Sequence, residues 1–278
     1  INEVKIWKEK VHIRIDQNNY AIDNLKELLE EQNLSKEERY LANSYIAQAF
    51  INTKKLDSSL FYLKKSVFKQ KDLLLNTRRK FLLAQLYQEL SIQDTAYSIY
   101  SEIIDLHRKI PRDFYINSYI KRTMVSDSID NSITELKLLT ENFENNNYLD
   151  IIFHQIAMLN LKKGELLDDD KSGFTITDST AINFFNKSLR SDSEEEFLIA
   201  KNYNELAELN FRKKNYLEAG QYYDSTLTQL SNKSREFRKI KRKRENLNDL
   251  IYYEKISSSL DSIINLIEMP EKKREAYF

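Results

Sequence analysis

Apolar residues recur at helical spacing along nearly all of this chain, and small residues punctuate them on a fixed ruler. Between Asn202 and Gln229 the sequence reads NYNELAELNFRKKNYLEAGQYYDSTLTQ. Ala207 and Ala219 stand twelve residues apart, and Tyr223 follows four later. This spacing predicts a hairpin of two antiparallel helices. The small residues let the helices approach, and the aromatic ring fills the space beside them. The ruler returns at Ala84, Ala96 and Tyr100, and with softer choices at Ala47, Ser59 and Leu63.

The repeated hairpin resembles the tetratricopeptide (TPR) repeat. The anchors of the first helix of each pair fall at Ala47, Ala84, Ala157 and Ala207. Ala47 to Ala84 spans 37 residues, slightly more than the usual TPR unit of about 34. Ala84 to Ala157 spans 73, room for two repeats, and Ala157 to Ala207 spans 50, one repeat with an insertion. Residues 2–32 read as a degenerate first hairpin, with Trp7, Val11 and Ile15 at helical spacing, then Tyr20, Ile22, Leu25, Leu28 and Leu29. Ser35 with Glu38 has the form of a capping box that opens the next helix. Repeats two and three cover about 36–70 and 74–110, the latter closed by Pro111. Repeat four, about 112–144, keeps the periodicity at Tyr119, Ile120, Leu136 and Leu139 but lacks the small anchors.

Repeat five starts near Tyr148, and its anchors Ala157 and Ala181 stand 24 apart, so an insertion is expected near 166–180. Repeat six covers 195–230. From Ser234 a long charged helix is expected, with Leu247, Leu250, Ile251 and Ile256 on its apolar side. A shorter helix over 259–268 follows, and Pro270 suits the first turn of another. The expected architecture is an all-α, TPR-like α-solenoid. About six hairpins would occupy 1–233, and a helical extension 234–278. The chain starts at Ile1 without an initiator Met and ends at Phe278 in a helical pattern, so we read it as a fragment, with any export signal or lipid anchor outside it.

Composition agrees with long helices and short connections. There are only three glycines and two prolines in 278 residues, fewer than all-β or dinucleotide-binding folds need for their turns. The 43 basic and 43 acidic residues cancel, which removes any global attraction to nucleic acid. The absence of cysteine excludes disulfides and thiolate-bound zinc. No apolar run is long enough to span a bilayer.

The residues that carry chemistry elsewhere are scattered here. His12, His107 and His154 have no partner at metal-ligand spacing, and there is neither a Gly-rich phosphate loop nor a nucleophile motif. We therefore expect no enzyme and no cofactor. Calcium is the one exception to weigh. Asp168, Asp170, Ser172 and Gly173 match the opening D-x-D-x-S-G of a calcium loop, with Asp178 in place of the closing Glu one residue early. The alternative is a solvated acidic loop that turns at its glycine. Seven cations, Arg235, Arg238, Lys239, Lys241, Arg242, Lys243 and Arg244, crowd one helix. They read as a contact for an acidic protein face or lipid headgroups, or as the solvated side of a helix that packs through Phe237 and Ile240. Paired aromatics at 97/100, 114/115, 184/185, 222/223 and 252/253 are read as core, one ring between helices and the other toward the next repeat.

In TPR proteins the first helices of the pairs line a concave groove. The anchors carry that groove to Ser44, Gln48 and Asn52, then Gln85, Gln88 and Glu89, then His154, Met158 and Lys162, and finally Asn204, Glu208 and Arg212. This mixture implies binding of an extended peptide or a helix. The segments IWKEKVHIRIDQNNYAIDNLKELL (6–29), QYYDSTL (221–227), KIKRKRENLNDLIYYEKI (239–256) and DSIINLIEMPEKKREAYF (261–278) are similar to the PorW/SprE lipoproteins of type IX secretion and gliding motility in Bacteroidota. That resemblance implies a periplasmic scaffold, anchored to the outer membrane by a lipid outside this chain. Its partners would be translocon components and other lipoproteins. The alternative class is a regulatory or adaptor TPR domain that binds a signalling or transcription partner.

Overall fold

In a computed structural model, residues 2–31, 33–67, 72–167, 175–270 and Lys273 are described. The regular elements among the described residues are all helical. Two compact units divide the chain, residues 1–132 and 133–278. The first unit carries α1 (Asn2–Arg14), α2 (Asn18–Glu30), α3 (Lys36–Asn52), α4 (Leu56–Ser66), α5 (Leu73–Glu89), α6 (Gln93–Ile104) and α7 (Arg112–Met124). The division falls within α8 (Ile129–Thr140). The second unit continues with α9 (Leu149–Leu167), α10 (Ile176–Leu189), α11 (Glu196–Arg212), α12 (Tyr216–Gln229), α13 (Arg235–Asn246) and α14 (Asn248–Glu268). Successive helices pair as hairpins: α1 with α2, α3 with α4, α5 with α6, α9 with α10, and α11 with α12.

The ruler is the core. Ala47, Ser59, Leu63, Ala84, Ala96, Tyr100, Ala207, Ala219 and Tyr223 are all buried. Ser59 Oγ donates to the Ala47 carbonyl at 2.9 Å, so the helices touch backbone to side chain at the anchor. Two further sets obey the ruler without its small first residue. One is Glu9, Ala21 and Leu25; the other is Ile120, Ser132 and Leu136, and all six are buried. Anchors therefore recur from Glu9 to Ala157 every 36 to 38 residues. Burying Glu9 leaves a carboxylate without bulk water, and His12 Nδ1 meets its Oε2 at 2.8 Å. This also corrects the reading of the first helix. Trp7, Val11 and Ile15 face solvent, while Ile6, Glu9 and Ile13 face inward.

Few glycines are needed because the hairpin turns use other residues. Asp16, Lys54, Ser91 and Lys214 adopt left-handed φ angles of 61°, 59°, 60° and 63°. Each lies seven residues past its anchor, between the two helices of a pair. The hydrogen bonds are those of a Schellman cap. For Lys54 they run from its own N–H to the Ile51 carbonyl and from Lys55 N–H to the Phe50 carbonyl, both at 2.9 Å. The same pair of bonds closes the turns at Asp16, Ser91 and Lys214. In the fifth repeat that position is Gly164, and there the backbone stays helical, so α9 runs on to Leu167. A Cβ at Gly164 would overlap Thr177 Oγ1 at the start of α10.

The capping box at Ser35 and Glu38 is formed as expected. The C-terminal helices differ from expectation. α13 ends at Asn246, and α14 runs unbroken through 248–268. The chain breaks where Leu247 turns into the cluster that holds Ala207, Ala219, Tyr223, Ile240 and Ile251. Leu250 and Ile256 stay largely exposed, as do both Tyr252 and Tyr253, so this aromatic pair is not core.

Candidate functional site

In the first unit, α1, α3 and α5 line a cavity of about 680 Å³. Ser44, Gln48 and Asn52 are on its wall, as the anchors placed them. Their amides form a row: Gln48 Nε2 donates to Asn52 Oδ1 at 3.0 Å, and Asn52 Nδ2 donates to Asn18 Oδ1 at 2.9 Å. Gln85, Gln88 and Glu89 are not on that wall. Gln88 instead braces the repeat, accepting from the Tyr100 hydroxyl at 3.2 Å. Burial, with the Glu89 charge adding to it, raises the Tyr100 phenol above its ordinary range, so the hydroxyl stays a donor.

The groove has a feature the anchors did not transfer. Lys10, Arg14, Arg78 and Arg79 converge on it, against one carboxylate, Asp16. Lys10 Nζ lies 4.1 Å from the Trp7 ring centre and 5.6 Å from that of Tyr45, which holds the cation by its attraction to the ring faces. Arg79 is only 3 % exposed. It donates from Nη1 to the Ser66 carbonyl at 3.0 Å, while its Nε has no partner among the described residues. Burial pulls Arg79 below the ordinary arginine range, partly countered by Tyr45 and Asp72.

In the second unit the corresponding row is spent on internal bonds. His154 Nδ1 meets Asn202 Oδ1 at 2.8 Å, Asn202 Nδ2 donates to Ser188 Oγ at 2.8 Å, and Ser188 donates to the Asp150 carbonyl at 2.6 Å. Burial lowers the His154 pKa, and the bond to Asn202 only partly offsets this. Met158 is half-buried beside it on α9, and Lys162 is exposed. Glu208 accepts from the Tyr223 hydroxyl at 2.7 Å and is paired with Lys243 of α13. Burial, reinforced by the Glu208 charge, raises the Glu205 pKa. Arg212 Nη2 reaches Asp178 Oδ1 at 2.9 Å. Asn204 lines a smaller cavity of about 220 Å³ with Lys239 and Lys243.

The basic helix splits into two roles. Lys243 is paired with Glu208, and Arg244 Nε reaches Asp224 Oδ1 at 2.9 Å. Arg235, Arg238, Lys239, Lys241 and Arg242 are exposed, and Ile240 packs inward. Asp178 is 2 % exposed and caps α10 through the Thr175 N–H at 2.7 Å, besides its pair with Arg212. The other proposed calcium ligands, Asp168, Asp170 and Ser172, lie outside the described residues. Among the described residues, no helix is long and apolar enough to cross a membrane.

Neither a comparison with protein-family models nor one with curated proteins finds a match. Solved structures do match. A tetratricopeptide repeat protein from Parabacteroides merdae superposes with a TM-score of 0.56 over 90% of this chain and 83% of its own, at 11% identity. NprR, solved with its cognate peptide NprX, gives a TM-score of 0.49 over 100% of this chain and 85% of its own, at 14% identity. At such identities the likeness concerns the fold alone. The fold is an all-α, TPR-like α-solenoid.

Proposed function

We propose that this protein is a non-catalytic scaffold that binds other proteins through the groove of its first unit. The observation that carries this reading is the 680 Å³ cavity, where Ser44, Gln48 and Asn52 stand beside cations from the first helices of the neighbouring hairpins, of which Arg14 and Arg78 make no ion pair among the described residues. An open wall of amides and charges, with no nucleophile or acid–base pair, suits recognition of a chain segment. The exposed cations of α13 supply a second contact. The similarity of 6–29, 221–227, 239–256 and 261–278 to the PorW/SprE lipoproteins extends the proposal. In that reading the protein works in the periplasm, is held at the outer membrane by a lipid outside this chain, and links the type IX secretion translocon to other components.

The test is affinity purification of the tagged full-length protein from detergent-solubilised envelopes, with mass spectrometry. The wild type and the Ser44→Trp/Gln48→Ala variant are compared. Recovery of outer-membrane translocon components by the wild type, and their loss with the variant, is the expected result. Recovery of cytoplasmic regulators alone would favour a regulatory adaptor. Equal recovery by both forms would sink the groove as the binding surface.

A further inference from the structure

We infer that the groove of the first unit selects an acidic segment of its partner, an extended stretch with Asp or Glu on either side of an apolar residue. This rests on the protein-binding reading above and adds the chemistry of the ligand. The charge on the wall is the first argument. Lys10, Arg14, Arg78 and Arg79 face one carboxylate, Asp16, although the whole chain is neutral. The imbalance is local, so it concentrates positive potential in a concave site whose low-dielectric walls focus it.

The availability of these charges is the second argument. Arg14 and Arg78 are exposed and make no ion pair among the described residues, in contrast to Lys243 and Arg244 of the second unit. Arg79 is buried and donates to the Ser66 carbonyl, so it adds positive charge behind the wall while Arg14 and Arg78 present the exposed forks. Arginine suits the task because its fork meets a carboxylate with two parallel bonds.

The wall between the cations sets the rest of the ligand. Ile13, Leu41, Ile51, Leu75 and Leu82 line the same cavity, so an apolar side chain has a place to bury while its neighbours reach the arginines. Three helices side by side at about 10 Å span on the order of 20 Å, which an extended segment of roughly six residues covers. The amide row of Gln48 and Asn52 offers bonds to the ligand backbone. On α13 only part of this combination is offered: Lys239 lines the smaller cavity of about 220 Å³, but beside the Glu236 carboxylate and a Lys243 already paired with Glu208.

The experiment uses the whole chain and three fluorescein-labelled twelve-residue peptides built on one leucine-containing frame. One carries Glu at the flanking positions, one Gln and one Lys. Binding is read by anisotropy at low and at physiological salt. The Glu peptide should bind at least about tenfold tighter than the Gln peptide, which is roughly 1.4 kcal/mol, and added salt should narrow the gap. The Arg14→Glu/Arg78→Glu variant should erase the preference, and the milder Arg14→Gln/Arg78→Gln variant should reduce it, with circular dichroism unchanged in both. Charge reversal on α13, Arg238→Glu/Lys241→Glu, should leave it intact. Equal binding of Glu and Gln peptides would overturn the acidic preference while leaving a protein-binding groove. Loss of the preference in the α13 variant alone would place the acidic contact elsewhere and overturn the inference. Failure of every peptide to bind would overturn both the inference and the groove on which it rests.

Discussion

The first helices of the hairpins face different fates in the two units. In the first, Ser44 and Gln48 line an open cavity, and Arg14 and Arg78 are left without ion pairs among the described residues. In the second, Glu208 and Arg212 occupy comparable positions on α11 but are tied to Tyr223, Lys243 and Asp178. One repeat geometry thus supports two uses of the same row. Charges paired within the fold stabilise it, whereas exposed cations without an ion pair beside an open cavity are available to a partner. The cavity that Glu208, Tyr223 and Lys243 line in the second unit is about 260 Å³.

The largest test of this contrast is Ala207→Leu. The side chain has no room, and the cluster around it includes Ile240, Leu247 and Ile251. We expect a loss of about 3 kcal/mol in denaturant unfolding, with faster hydrogen exchange across α13. Ala84→Leu should cost a similar amount and leave α13 protected. If both variants loosen α13 alike, α13 does not depend on its local cluster.

The second test compares two hydroxyls. Tyr223 donates to a carboxylate and Tyr100 to a neutral amide. Tyr223→Phe should cost about 2 kcal/mol and Tyr100→Phe about 1 kcal/mol, because bonds to charged acceptors are stronger. Equal losses would mean that Lys243 already satisfies Glu208.

A third prediction raises stability. Lys54 holds a left-handed φ that glycine adopts without strain. Lys54→Gly should gain about 0.5 kcal/mol, after the extra unfolded-state entropy of glycine is subtracted. A fall in melting temperature would show that the Lys54 side chain contributes more than its backbone costs.

The smallest effect depends on pH. The His154 pKa is lowered in the fold, so the neutral ring is favoured. Stability is then complete above the ordinary histidine pKa of about 6.5 and falls as pH drops below it through the folded value. Melting between pH 7.5 and pH 5 should decline more for the wild type than for His154→Gln. Parallel curves would remove His154 from the account.

Much of this organisation was legible because it is periodic. The anchor, the second small residue and the aromatic recur at fixed separations, and the Ser35–Glu38 capping box is a local pattern. Other features were not legible, for identifiable reasons. Turns at Asp16, Lys54, Ser91 and Lys214 carry no glycine, so composition hid them. Glu9 and Ile120 hold anchor positions with residues of the wrong size or polarity, and the set of small residues missed them. The inward face of α1 went unread because Trp7, Val11 and Ile15 form as regular a stripe as Ile6, Glu9 and Ile13. The cationic groove draws on Lys10, Arg14, Arg78 and Arg79, which are far apart in sequence and meet only when the hairpins stack. Chain order alone cannot juxtapose them.

The contrast between the units is tested most directly by photo-crosslinking in cells. A photoreactive amino acid is placed at Ser44 in one form of the full-length protein and at Asn204 in another. The account predicts a discrete partner adduct from position 44 that is lost in the Arg14→Glu/Arg78→Glu background, and little or none from position 204. Adducts from position 204 with none from position 44 would contradict it.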